Sequence, residues 1–414
     1  VSKDATAPGV EVLDNGLTLV VAPATTAGVS TVAVHVGVGF RSEPVDRPGM
    51  AHLFEHLMFQ GSRCVEPGGH FHRVEAVGGR VGGHTRHDYT ELFDVVPSGA
   101  LLDTVRLEAD RLLGPRLDQR TIDTQVEVIR AEIAQQVLGV PYGGFPWLHL
   151  PEAMYDSPVN THDGYGDVAA LSRVDVDDCV AFFDAWYAPS RIVVTIEGDV
   201  GSAAEQDAVR AALSAIPPRS PAEPVTVAEP APTADRHLSV RAANVPTPIW
   251  AAGFRLPDPT ARPDLYAACT ALSMLVPIQF PELRLTVRCG WYGVPLDARS
   301  PDAWVVSTHP TPEASGAPLL ALVRDLLGRW DARAPAPDVL THAAARIRLR
   351  TYQDDQRLGH RARRLGAAQL LYDDPAIDDA CDPSAALDRD LLGEAATYLA
   401  QQHAGTVLVS RPEE

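Results

Sequence analysis

The run His52-Leu53-Phe54-Glu55-His56 constrains this chain more than any other feature. It lies within Gly49–Gly61, a mostly apolar stretch that reads as a helix beginning after Pro48-Gly49. Histidines at i and i+4 fall on one helical face, one turn apart. Two imidazoles so placed can grip one zinc ion, and a carboxylate beside them can move the protons of a water. The order His-x-x-Glu-His reverses the commoner His-Glu-x-x-His of zinc proteases. The fold must therefore bring a third ligand to this polar helical face, and metal-dependent peptide hydrolysis is the leading reading.

The 414 residues are enough for about two domains, and 45% hydrophobic residues supply sizeable cores. No apolar run reaches the roughly 18 residues of a membrane span. The first residues, Val1-Ser2-Lys3-Asp4, lack both the basic and apolar parts of a signal peptide and an initiator Met, so trimming or processing at this end is expected. A net charge of −19 excludes nucleic acid and anionic membrane as natural partners and fits a solvated acidic surface. Cys64, Cys179, Cys269, Cys289 and Cys381 are scattered, with no Cys-x-x-Cys pair. They read as free thiols in a reducing, cytoplasmic setting.

Hydrophobic periodicity predicts an α+β fold. Val10–Pro23 alternates around Asp14-Asn15-Gly16, a hairpin signal, and Ser30–Phe40 reads as a buried strand. After the motif helix come a short helix at His72–Val77, a strand pair at Arg80–Val96 and helices at Leu101–Leu113, Thr121–Val137 and Asp175–Ala188. The strand Arg191–Glu197 closes the first half. Prolines at 217, 218, 221, 224, 230 and 232 mark a linker. The expected domains are 1–216, with the motif, and 237–414, joined through 217–236. The second half repeats the order loosely: strands at His237–Phe254, a helix at Pro263–Val276, strands at Trp291–His309, then helices. Its end, Leu399–Ser410, parallels Phe183–Thr195, so a duplicated α+β unit is expected. The second copy has no His-x-x-Glu-His.

Zinc with one position open for water needs a third protein ligand. The helix Thr121–Val137 offers Glu132, 76 residues after His56. At this point the chain resembles the inverted-zincin family of pitrilysin, insulin-degrading enzyme and the mitochondrial processing peptidases. The family pattern Gly-x-Ala-His-x-x-Glu-His-x-x-Phe-x-Gly is matched by Gly49, Ala51, His52, Glu55, His56, Phe59 and Gly61. Glu132-Ile133 stands where the family places a glutamate before an aliphatic residue. Arg41-Ser42-Glu43, Tyr187-Ala188-Pro189 and the strand to Gly198-Asp199 are also similar. The resemblance implies two related α+β domains, each a mainly antiparallel sheet packed with helices, forming half of a four-domain chamber.

It further implies that His52, His56 and Glu132 bind one Zn2+ per chain and that Glu55 is the general base. The chain would cleave peptides or leader segments as a homodimer, or as a heterodimer with a related subunit. The family has a glutamate seven residues before the third ligand; here this is Gln125, which adds no charge behind the metal, so weaker zinc binding is expected. The family's Asn-Ala on the edge strand that takes up substrate is replaced by Gly82-Gly83, followed by His84. In the second domain the resemblance implies Tyr292 as an oxyanion donor and Arg284 as a holder of a substrate carbonyl, with Arg288 as alternative. An alternative reading is a non-catalytic or weakly active partner subunit that binds peptide; retention of all three ligands and the base weighs against it. A maturation protease that trims a leader from a modified peptide shares the chemistry and differs only in substrate.

Other polar residues have plainer readings. His70 and His72 read as surface histidines at a helix entry, and His84 and His87 as solvent-facing strand positions. Glu75 and Glu127 read as solvated helix carboxylates. The pairs Gly78-Gly79 and Gly82-Gly83 precede a strand rather than a helix and are no phosphate cradle.

Overall fold

The structure is a computed structural model that describes residues 7–23, 26–198, 202–310, 317–330 and 335–412; Asp199 lies outside them. The chain forms two compact α+β units, each with one sheet and its own helices. The first comprises residues 1–130, 164–225 and 351–376, and the second residues 131–163, 226–350 and 377–414.

In the first unit the strands are β1 (Gly9–Val12), β2 (Thr18–Ala22), β3 (Val29–Val36), β4 (Arg80–Thr85), β5 (Thr90–Pro97) and β6 (Ile192–Glu197). Their order is β1-β2-β6-β3-β5-β4, antiparallel throughout except for the parallel pair β2 and β6. The hairpin expected around Asn15-Gly16 is present, and Gly16 takes the positive φ that a tight turn needs. All six residues of β6 are buried, as the run Ile-Val-Val-Thr-Ile-Glu demands of a central strand. Between β3 and β4 lie helices α1 (Met50–Leu57) and α2 (Gly69–Ala76), and after β5 come α3 (Leu101–Leu113) and α4 (Gln119–Glu132). The strand β4 pairs with β5 alone, so it forms an edge of the sheet.

The second unit contains β7 (Arg236–Arg241), β8 (Ile249–Arg255), β9 (Thr286–Cys289), β10 (Ala303–Thr308) and β11 (Gly405–Ser410). Their order is β7-β11-β8-β10-β9, with β11 parallel to β7 and antiparallel to β8. This is the topology of β2-β6-β3-β5-β4, strand for strand, so both sheets are wound in the same way. The helix Pro263–Gln279 follows β8 where α1 and α2 follow β3. Within the expected strand region Trp291–His309, only Ala303–Thr308 is strand; Trp291–Gly293 is a single helical turn, and pairing with β10 falls to Thr286–Cys289 instead.

The division differs from a contiguous cut at the proline-rich stretch. Residues 351–376 return to the first unit, where the helix His360–Tyr372 lies on the sheet. Arg363 pairs with Glu91 through two bonds of 2.7 Å, and Ala362 N–H donates to Glu197 at 3.1 Å. A side chain at Gly366 would stand 2.4 Å from His35 Nδ1, so only glycine allows this approach. The proline-rich stretch is pinned on both flanks. Arg219 donates to the carbonyls of Leu112, Leu113 and Tyr187, while Glu229 accepts from the backbone of Asp156 and Ser157.

Candidate metal centre

The helix α1 is placed by its first turn. Gly49 sits at φ 101°, and the carboxylate of Glu43 accepts the N–H groups of Gly49 at 2.6 Å and Ala51 at 2.8 Å. These are donors that a helix start leaves without an internal partner, and a carboxylate also suits the positive end of the helix. Gly166 crosses over Gly49 so closely that a Cβ there would lie 2.4 Å from the Gly49 Cα. Met50, Leu53, Phe54 and Leu57 are buried, which leaves His52, Glu55 and His56 on the remaining face. The two imidazoles stand edge to face with centroids 4.9 Å apart.

Helix α4 supplies the third residue. Ile122, Gln125, Val126 and Ile129 form its buried stripe, and Glu132 lies three residues beyond Ile129 on the same side. The unit division falls inside α4, so Glu132 is carried by a helix whose body belongs to the first unit. Beyond Glu132 the winding loosens to π-helical over Ile133–Leu138, an irregularity frequent beside functional sites. Donor atoms of His52, His56 and Glu132 lie within 4.8 Å of one another. Gln125 Oε1 stands 3.4 Å from His56 Nδ1.

Glu55 is held by the residue after His84 on the edge strand, to which sequence reasoning gave no role of its own. Thr85 Oγ1 donates to Glu55 Oε2 at 2.7 Å. Thr85 is two residues after Gly83, so strand alternation puts both on the α1 face of β4. A Cβ at Gly83 would lie 3.2 Å from Glu55 Cγ and 3.1 Å from the Phe59 ring. Gly82 and His84 take the opposite face, where a Cβ at Gly82 would enter the Phe93 ring at 2.4 Å and the exposed His84 ring is 6.1 Å from Phe93. Two tyrosines lie near these residues: Tyr165, which sequence reasoning missed, and Tyr187 of the similar stretch Tyr187-Ala188-Pro189. Tyr165 meets His52 edge-on at 6.4 Å, and burial together with the nearby Glu55 carboxylate pushes the Tyr187 phenol up.

Arg284 and Tyr292 flank β9 in the second unit. Both are in the left-handed backbone region, at φ 49° and 54°. Such strain in residues with side chains costs about 1–3 kcal/mol each and clusters at functional sites. The Tyr292 ring packs on Trp147 at 5.3 Å, its hydroxyl donates to the Asp163 carbonyl at 3.4 Å, and Arg284 is exposed. Arg288 is exposed on β9.

Two histidine readings need correction. His70 is buried against Asp94 rather than solvent-facing, because it lies one helical turn before the buried Val74. His87 is buried with its ring 4.3 Å from that of Phe40. His72, Glu75 and Glu127 are exposed as expected, and none of the five cysteines is in a disulfide among the described residues. Among the described residues no helix is long and apolar enough to cross a membrane.

The chain is similar to known proteins in sequence and in fold. Residues 19–139 match the family model for insulinase, peptidase family M16, and residues 173–280 match the model for the M16 inactive domain. An uncharacterized zinc protease of Mycobacterium leprae (strain TN) is 28% identical over 188 residues, 45% of this chain and 42% of that protein. The mitochondrial-processing peptidase subunit beta of Blastocladiella emersonii is 26% identical over 194 residues, 46% of this chain and 41% of that protein. The chain thus spans less than half the length of these relatives. The crystal structure of a protease from Helicobacter pylori has the same fold, with a TM-score of 0.86 at 19% identity over 98% of this chain and 99% of that one. The two sheets of shared topology, the helix bearing His52, Glu55 and His56, and these matches lead to one assignment: the chain belongs to the M16, or insulinase, family of peptidases.

Proposed function

We propose that the chain is a zinc-dependent peptidase in which His52, His56 and Glu132 hold the metal and Glu55 is the general base. The observation that carries this reading is the convergence of the three donor groups to within 4.8 Å, with Glu55 on the same helix as the histidines. Two imidazoles and a carboxylate are a donor set that zinc favours in catalytic sites, and three protein ligands leave a position open. When bound, the zinc would supply Lewis acidity to a scissile carbonyl and lower the pKa of a water towards about 7.

The protein's own groups do the rest. In the tautomer with the proton on Nδ1, His56 donates to Gln125 Oε1, 3.4 Å away, which leaves the Nε2 lone pair for a metal. Thr85 holds one oxygen of Glu55, and the carboxylate takes a proton from water and returns it to the leaving amine. The open edge of β4 offers backbone groups to an extended peptide, which would add as a further strand. On this reading Gly82, Gly83 and His84 contribute backbone to substrate binding, with Gly83 giving the peptide a close approach. Tyr292 and Arg284, on strained backbone around β9, would serve the oxyanion and a substrate carbonyl.

The substrates are peptides or leader segments, and the working particle is a chamber of two chains, as a homodimer or with a related subunit. One of the relatives is named as a subunit, which supports this. The free cysteines favour a reducing compartment. Glu55→Gln is expected to keep zinc and lose about 10²–10⁴-fold in kcat on an internally quenched peptide, because the ligands remain while the base is gone. Cleavage that survives this substitution would remove Glu55 from the mechanism.

A further inference from the structure

Near the end of α1, within the first unit, four ionisable side chains pack together away from water. His70 on α2, Asp94 on β5, and Glu108 and Arg111 on α3 are all buried. Arg111 meets Glu108 through both Nε and Nη2, the former at 2.7 Å. His70 Nε2 lies 3.1 and 3.2 Å from the two Asp94 oxygens and 3.8 Å from Glu108 Oε1. The carboxylates and His70 stand close enough to resemble a second metal set. The Arg111 guanidinium already neutralises Glu108, however, and would repel a cation placed there.

As scaffold alone the cluster is uneconomic. A buried ion pair is seldom more stabilising than apolar packing of the same volume. Arg111 Nη1, also buried, has no hydrogen-bond partner among the described residues, which is destabilising. What the cluster holds is Phe59. The Arg111 guanidinium carbon lies 4.9 Å over its ring, and the His70 ring meets it edge-on at 5.9 Å. Phe59 in turn abuts β4 at Gly83, beside Glu55.

We propose that Arg111, held by Glu108, Asp94 and His70, is a positioning residue that clamps Phe59 and thereby sets the spacing between the β4 edge and the Glu55 carboxylate. This rests on the reading of Glu55 as base and β4 as the strand that receives substrate. Burial pushes Glu108 up to about 8, with Arg111 opposing and Asp94 adding. Burial also raises Asp94, and it lowers His70 to about 4, with Arg111 and Arg73 adding and Glu108 opposing. Glu108 has an ordinary value of 4.5, so the stability of its protonated form is complete below that pH and is lost as pH rises through about 8.

The test compares the wild-type chain with Arg111→Met, Arg111→Lys and Glu108→Gln on an internally quenched peptide, with zinc content and hydrogen exchange measured alongside. Arg111→Met is expected to lower kcat about tenfold or more at unchanged zinc content and with KM within about threefold, because misplacement acts on the reacting geometry. Arg111→Lys should fall between the two, since lysine keeps charge but not the fork, and it carries the test if the Met variant does not fold. Glu108→Gln removes the carboxylate that holds the guanidinium and should lower kcat in the same direction as Arg111→Lys, at unchanged zinc content. Amides of β4 paired with β5 should exchange about tenfold faster in Arg111→Met, a readout independent of cleavage. A wild type that cleaves nothing would overturn the peptidase reading, while the exchange data would still decide the clamp. Unchanged exchange, or a kcat per folded molecule equal to wild type, would overturn the clamp itself.

Discussion

Glu43 fixes the start of α1 by offering one buried carboxylate to two backbone donors. Removing it in Glu43→Ala would leave both donors buried and unpaired, at a cost of about 1–3 kcal/mol. Urea unfolding should show that loss; an unchanged midpoint would mean that the cap is dispensable. Glu43 illustrates what a sequence hides. His52, Glu55 and His56 are legible because helical period alone puts them on one face. Glu43 and Thr85 act through partners 6 and 30 residues away, at positions that no periodicity links. His70 was legible in principle, one turn before an apolar residue, but a histidine in a polar stretch reads first as surface.

Among the elements, β4 is the edge strand that lies beside Glu55. Its two glycines are packing requirements on opposite faces of the sheet, not one flexible patch. Gly82 faces the Phe93 ring, which is held in turn by the Arg363 guanidinium at 4.2 Å, so an added methyl has little room to displace it. Gly82→Ala should therefore cost about 1–3 kcal/mol by overpacking. Gly83→Ala meets its neighbours at 3.1 to 3.2 Å and should be milder in stability while lowering cleavage, because it presses on Glu55 and Phe59. Thermal unfolding and a peptide assay of both variants check this order, and a Gly83→Ala protein less stable than Gly82→Ala would reverse it. The duplicated winding was readable in outline, because β6 and β11 each close a unit after a helix and a small-residue turn. The return of residues 351–376 to the first unit was not readable. It depends on Arg363 finding Glu91 and Gly366 finding His35, contacts between distant parts of the chain.

For the whole molecule, the account requires two chains to enclose a substrate. Sedimentation should find a two-chain particle, and dilution below its dissociation point should abolish cleavage; full activity in single chains would refute the chamber. The family assignment stands on matches along the chain, whereas the metal stands on three side chains, and that is the central claim. The direct measurement is the zinc content of the purified wild-type protein and of His56→Ala, by elemental mass spectrometry. The account predicts about one zinc per chain in the wild type and little in the variant. A wild type free of zinc, or a His56→Ala protein that keeps its full complement, would contradict it.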